Sequence, residues 1–260
     1  MTELTETQVR HFIEKGYIRL DDTFSAELAE QGREILWKDT GCDPTNPATW
    51  TKPVIRLGDY AQEPFRQAVN APRLHKAFDQ LVGAGKWLPR YSLGTFPVRF
   101  PSENDPGDTG WHVEASFPGN EPVDYFKWRI NVKSRGRALL MLFLFSDIEE
   151  NDAPTRIREG SHIKVASILE PFSDDGLTFI ELAERLNSTE GLPEVSATGK
   201  AGTVYFCHPF LVHSAQSHRG QNPRFMAQPP LMPAGEFNIY DSEIDFSPVE
   251  EAIRKGLEFL

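Results

Sequence analysis

The chain has 260 residues, 39% of them hydrophobic and 25% charged, a balance that supports a packed core and argues against disorder. A net charge of −11 argues against a nucleic-acid partner, and two distant cysteines, Cys42 and Cys207, exclude a zinc-finger pattern or a disulfide framework. The longest apolar run, Ala138 to Phe145, is eight residues against the roughly 20 that a spanning helix needs, and the segment beginning Met1-Thr2-Glu3 lacks a secretory pattern; a cytoplasmic protein without a membrane span is expected.

Thr5 and Gln8 form a capping box, and Val9, Phe12 and Ile13 make an apolar stripe before Gly16, which predicts a short amphipathic helix. Tyr17 to Leu20 reads as a strand, and Ser25 caps a second helix carrying Leu28, Ile35, Leu36 and Trp37. Residues 40 to 64 read as loop with a short strand at Val54 to Leu57. Asn70-Ala71-Pro72 introduces a third helix through Leu74, Phe78, Leu81 and Val82, ending near Gly83.

From Tyr91 the pattern changes to short β-rich stretches divided by Pro, Gly and Asp: Ser92 to Phe100, Gly110 to Glu114, Trp128 to Val132, Leu139 to Phe145, Gly202 to Cys207 and Phe225 to Leu231. Phe172 to Leu186 reads as a helix packed outside the sheets, and Ser247-Pro248-Val249-Glu250 opens a last one. The fold expected is mainly β with flanking α-helices around a double-stranded β-helix, a cupin-like jelly roll. One domain over 1–260 is expected: a helical part to about 90, a core over about 91–235 and a C-terminal helix over about 247–258.

Two segments carry the chemistry. On a strand, residues i and i+2 share a face, so His112 and Glu114 can aim an imidazole and a carboxylate at one point, and a distant His213 would complete three ligands. Two histidines and one carboxylate with other positions open is the arrangement of non-haem Fe(II) oxygenases. Arg224, eleven residues after His213, falls on the next strand, where its rigid fork suits a carboxylate, in this context that of 2-oxoglutarate. Against this, an isolated H-x-E arises by chance, and the bland reading of Arg224 is a surface arginine.

Linked motifs add to the spacing. The opening Thr7 to Leu20 is a helix leading into a Gly-Tyr strand, Asn151 to His162 is a turn ending in Gly-Ser-His, and Gly202-Thr203-Val204-Tyr205-Phe206 precedes His213. With His112, His213 and Arg224 in this order, the chain resembles the phytanoyl-CoA dioxygenase family of Fe(II)- and 2-oxoglutarate-dependent oxygenases over most of its length. The family's first motif is usually H-x-D, so Glu114 departs from it by one methylene, about 1.5 Å of reach.

The resemblance implies that His112, Glu114 and His213 hold Fe(II), that Arg224 binds the C5 carboxylate of 2-oxoglutarate, and that O2 is the second cosubstrate, with succinate and CO2 released. Related halogenases carry a small residue in place of the carboxylate, so Glu114 favours hydroxylation of a small-molecule substrate. Thr155 as a hydroxyl donor to 2-oxoglutarate, and Arg99 on the strand before His112, are further cosubstrate-binding candidates. Arg219 competes with Arg224 and ranks below it.

Among the remaining histidines, His208 is rejected as a ligand by its spacing from His213, His162 is read as part of a turn network, and His11, His75 and His218 as surface or capping residues. Trp111 reads as packing beside the first ligand, most simply as an ordinary core tryptophan, and Trp87, Phe96, Phe117 and Trp128 read as core with some lining a pocket. The basic run Lys127, Arg129, Lys133, Arg135 and Arg137 reads as a solvated edge strand or an anion-facing patch. Loops 40–64 and 101–110 are expected to shape the entrance. Two rival readings stand beside the oxygenase: a small-molecule binding protein that has lost turnover, and a cupin-like Zn or Mn hydrolase or isomerase in which Arg224 clamps a substrate carboxylate.

Overall fold

A computed structural model describes residues 3–241 and 245–258; the first two and last two residues of the expected 1–260 domain, and residues 242–244, lie outside the described residues. In chain order the elements are α1 (Glu6–Lys15), β1 (Tyr17–Leu20), α2 (Ala26–Thr40), β2 (Val54–Leu57), α3 (Glu63–Val69), α4 (Pro72–Leu81) and β3 (Phe96–Arg99). There follow β4 (Arg129–Ile130), β5 (Leu139–Leu144), β6 (Arg156–Arg158), α5 (Ser161–Leu169), β7 (Leu177–Thr178), α6 (Phe179–Ala183), β8 (Glu194–Ser196), β9 (Val204–Cys207), β10 (His213–Ser214), β11 (Met226–Ala227), β12 (Pro230–Leu231) and α7 (Pro248–Gly256). No helix among the described residues is long and apolar enough to cross a membrane.

Helix ends follow the capping chemistry. Thr5 and Gln8 cap α1 reciprocally, Ser25 accepts from Leu28 N–H at α2, and Ser247 with Glu250 boxes α7. Gly16 closes α1 at φ 86°, a left-handed position where a Cβ would also lie 2.5 Å from His162 Nδ1.

The strands make two layers of antiparallel sheet. The larger runs β1-β9-β5-β11, with β12 also on β5, and the smaller runs β10-β6-β8. A single bridge between Arg99 and Arg224 attaches the antiparallel β2–β3 pair to the segment entering β11, and another between His112 and His213 adds the His112 segment to β10. The alternation along β5 defines two cores. Leu140, Leu142 and Leu144 join Ile157, Tyr205 and Met226 in the smaller one, between the sheets. Leu139, Met141 and Phe143 join Phe206 and the helix residues Phe12, Leu36, Phe65 and Phe78 in the larger one, behind the main sheet. The continuous apolar run thus reflects a strand buried on both faces, the mark of a sheet with helices on one side and a second sheet on the other.

Several expectations need correction. The strand expected over Gly110 to Glu114 is extended chain with one bridge residue, and those at Ser92 to Phe100 and Trp128 to Val132 shorten to β3 and β4. Phe225 to Leu231 divides into β11 and β12 around Gln228 and Pro229. The helix expected over Phe172 to Leu186 is broken: Gly176 turns at φ 61°, where a Cβ would sit 2.0 Å from Ile130 O, and Thr178 with Glu181 caps a new start at Phe179. Two helices, α3 and α5, were not anticipated; α5 begins at the Ser161-His162 of the Gly-Ser-His turn.

Candidate metal centre

His112 and His213 meet across the seam between the loop after β3 and β10. Each backbone N–H donates to the other's carbonyl at 3.0 Å, the close hydrogen-bonded pair of an antiparallel ladder. Paired residues put their side chains on one face, and the two imidazoles stand 4.5 Å apart. Glu114, two residues beyond His112, returns to that face, its Oε1 3.7 Å from Nε2 of both histidines. The three donor atoms lie within 4.8 Å of one another.

The imidazoles are oriented by their own backbone. His112 Nδ1 donates to Gly110 O at 2.8 Å, and His213 Nδ1 donates to Leu211 O at 2.9 Å. A carbonyl only accepts, so Nδ1 carries the proton in each ring and Nε2 presents a lone pair toward Glu114. His213 Nε2 is buried without a hydrogen-bond partner, which is costly unless something electrophilic occupies the point it faces. This donor set fits a divalent ion such as Fe(II).

Electrostatics agree with the geometry. Burial by itself would raise Glu114, but contacts with His112 and His213 and the nearby Arg137 guanidinium hold its carboxyl well below the ordinary range. Burial and the neighbouring His112 keep His213 below its usual value, whereas for His112 the opposing pull of Glu114 outweighs burial and raises it. Arg137, expected within a solvated basic edge, is buried and donates to Ala115 O at 2.9 Å, next to the carboxylate. The rest of that run scatters: Lys127 pairs with Glu121, Lys133 with Asp174, and Arg129 donates to Asp175 O.

A second cross-strand pair sits in the same cavity. Arg99 and Arg224 exchange backbone hydrogen bonds at 3.1 and 2.8 Å and are both buried. Like charges placed directly opposite repel. Asp108 relieves part of this, accepting from Arg99 Nη2 at 2.7 Å and from Arg56. Arg224 spends its guanidinium on the carbonyls of Ala153 (2.6 Å) and Pro97 (3.3 Å), and its Nε is buried without a partner. Burial and Arg99 push it well below the usual arginine value, which marks a cation short of counter-charge.

The cavity enclosing both pairs measures about 600 Å³, within the range of small-molecule sites. One wall is cationic, with Arg56, Arg99 and Arg224; the other is aromatic, with Trp111, Tyr125, Phe126 and Phe179. Trp111 is half-buried and packs against the main core, and the guanidinium groups of Arg156 and Arg158 lie 4.8 and 4.1 Å from its ring centre, so it braces the first ligand's segment. Of loops 40–64 and 101–110, Arg56, Gly107, Asp108 and Gly110 reach the cavity.

The structure does not bring every candidate here. Thr155 is buried with its hydroxyl 4.0 Å from Met226 Sδ, outside the cavity lining. Arg219 lines a separate surface cleft. Trp87, Phe96, Phe117 and Trp128 do not line the cavity; Tyr125, Phe126 and Phe179 do, and went unnoticed. For Phe179 the signal was available in the Thr178–Glu181 capping box. His218, expected as a surface or capping residue, is buried and caps its own turn, with Nε2 on Asn222 O at 2.8 Å and Nδ1 accepting from Gly220 N–H at 3.2 Å. His208 is remote from the centre as expected, but because residues 208–211 form a turn and not a regular strand.

No protein-family model matches this sequence, and no curated protein is significantly similar to it. Solved structures are similar in fold. The non-haem alpha-ketoglutarate-dependent carbocyclase SnoK from nogalamycin biosynthesis superposes with a TM-score of 0.62 at 20% identity, covering 90% of this chain and 86% of its own. HygX from Streptomyces hygroscopicus, solved with nickel and 2-oxoglutarate bound, gives 0.58 at 19%, covering 93% and 92%. EctD from S. alaskensis gives 0.53 at 22%, covering 88% and 76%. The chain therefore has the jelly-roll core with flanking helices expected from its sequence.

Proposed function

We propose that the chain is a non-haem Fe(II)- and 2-oxoglutarate-dependent dioxygenase that hydroxylates a small molecule, in the manner of the phytanoyl-CoA dioxygenase family. The observation that carries this reading is the placement, in one cavity, of a His-Glu-His donor set with free Nε2 lone pairs beside a buried arginine lacking a carboxylate partner. That combination takes a metal ion and an anion together. The solved structures of similar fold include an alpha-ketoglutarate-dependent carbocyclase and a protein with nickel and 2-oxoglutarate bound.

Bound Fe(II), with 2-oxoglutarate and O2, would supply the oxidation, releasing succinate and CO2. The chain's residues do the rest. His112, Glu114 and His213 hold the ion, and their Nδ1 bonds to Gly110 and Leu211 keep both rings aimed without reorganisation. Arg224 receives the C5 carboxylate of 2-oxoglutarate, which relieves its repulsion with Arg99. Tyr125, Phe126 and Phe179 offer an apolar wall that excludes water and holds the substrate's hydrocarbon part.

Anaerobic absorption of the Fe(II) protein, with and without 2-oxoglutarate, tests the reading. A visible charge-transfer band should appear with 2-oxoglutarate, and Arg224→Ala should weaken its binding by about 2 kcal/mol or more, roughly thirtyfold. Bound iron with no band, or substrate turnover without 2-oxoglutarate, would favour a hydrolase or binding protein.

A further inference from the structure

The carboxylate ligand poses a problem that the cavity answers. Glutamate is longer and more mobile than aspartate, and both of its oxygens can reach one ion. A second oxygen on the ion would occupy a position that a chelating cosubstrate needs. Here the two oxygens are separated by their contacts: Oε1 lies 3.7 Å from both histidine Nε2 atoms, while Oε2 accepts a hydrogen bond from the Tyr125 hydroxyl. We infer that Tyr125 is a positioning residue that ties Oε2 of Glu114 away from the metal, restricting the ligand to one oxygen and keeping cosubstrate positions open.

The inference rests on the proposed Fe(II) and 2-oxoglutarate chemistry and adds a role that the donor set alone does not imply. Tyr125 is fixed for the task. It opens a short 3-10 turn, Tyr125–Lys127, capped by Asp124, whose side chain accepts from Phe126 N–H at 3.1 Å. Its ring leans on Trp128 and Phe179, each with centroids 5.7 Å away. Phe179 in turn packs 5.4 Å from the His112 ring. The phenol and the first imidazole therefore share one aromatic support, so the tether is placed relative to the ligand that Glu114 must join. Tyr125→Phe keeps the ring and these contacts and removes only the hydroxyl.

The test titrates 2-oxoglutarate into anaerobic Fe(II) protein by the charge-transfer band, and separately titrates the metal site with Co(II) by its ligand-field absorption, in unaltered protein and in Tyr125→Phe. The variant should need about ten- to a hundredfold more 2-oxoglutarate, the usual cost of losing a group that orients a ligand. Its Co(II) affinity should be unchanged or tighter, because the freed oxygen adds a bond to the metal. A packing role would not produce that split. In a Glu114→Asp background, where the carboxylate is drawn back from the phenol by about 1.5 Å and the tether is broken, adding Tyr125→Phe should change nothing further. An unaltered protein with a normal band and a Tyr125→Phe variant that titrates identically would overturn the inference and leave the proposed function intact. Parallel loss of Co(II) and 2-oxoglutarate binding would also overturn it, by making Tyr125 a support of the whole site. No band in the unaltered protein overturns the function and this inference with it.

Discussion

Two pairs of histidines sit comparably close in this molecule, and only one turns free lone pairs toward a carboxylate. The rings of His112 and His213 are 4.5 Å apart, those of His162 and His208 4.9 Å. In the first pair each Nδ1 is spent on a backbone carbonyl, so two Nε2 lone pairs converge on Glu114. In the second pair the Nε2 atoms are the ones spent, on Ile13 O at 3.0 Å and Val249 O at 3.3 Å, and His208 Nδ1 accepts from Phe210 N–H. What remains is one buried His162 Nδ1 with no carboxylate beside it. The second pair is a clip joining α1, α5 and α7. Proximity of imidazoles does not make a metal site; the choice of which nitrogen the backbone consumes does.

The largest effect should come from breaking the first pair. His213→Gln removes a lone pair aimed at the centre and the Nδ1 bond that fixes it. Iron affinity should fall by more than the roughly hundredfold that follows loss of a supporting group, and the charge-transfer band should vanish. His208→Gln should leave both iron affinity and the band as they are, provided circular dichroism shows the chain folded. Loss of the band in both variants would erase the distinction between the pairs.

A smaller effect separates the pairs by pH. Burial holds His162 down at about 4, from an ordinary 6.5, and holds His208 well below the usual value, with His162 beside it adding to the effect. Each is neutral in the folded chain but takes a proton in the unfolded chain below pH 6.5. The unfolded state then binds more protons, so stability falls as pH drops from 6.5 toward 4. For His162 this loss is about 3 kcal/mol across that window. His162→Gln keeps an amide N–H for Ile13 O and removes the titration. It should be less stable than the unaltered protein at pH 7 and lose about 3 kcal/mol less on acidification, as read by urea unfolding at several pH values. An unchanged pH slope would show that His162 is not buried as a neutral base.

The sequence was legible where one local interaction decides the structure. Thr5, Ser25 and Ser247 announce their helices because a cap is a contact between neighbours, and the run at β5 is apolar throughout because both of its faces are covered. His112, Glu114, His213 and Arg224 could be singled out because their order and spacing resemble a known pattern. What misled was the assumption that the first ligands need a regular strand: one bridge to His213 suffices to align them. The aromatic wall was hidden for a different reason. Tyr125 and Phe179 come together only through the short β4–β7 pairing, and nothing local to either residue states that partner.

The smallest predicted effect concerns Thr155, where resemblance and geometry diverge. A threonine on the turn before β6 is suitably placed in sequence to donate to 2-oxoglutarate, yet its hydroxyl points at the Met226 sulfur in the core between the sheets. A thioether is a weak acceptor, so this hydroxyl is buried with poor compensation. Thr155→Val replaces it by a methyl of similar shape in apolar surroundings, which should be neutral or slightly stabilising, by less than about 1 kcal/mol. The same variant should bind 2-oxoglutarate as the unaltered protein does, in contrast to Arg224→Ala. A several-fold rise in the 2-oxoglutarate needed to form the charge-transfer band would instead mean that Thr155 turns from Met226 to the cosubstrate when the cavity fills. It would also move the proposed anion clamp from Arg224 alone to a site shared with the segment entering β6, the strand paired with His213.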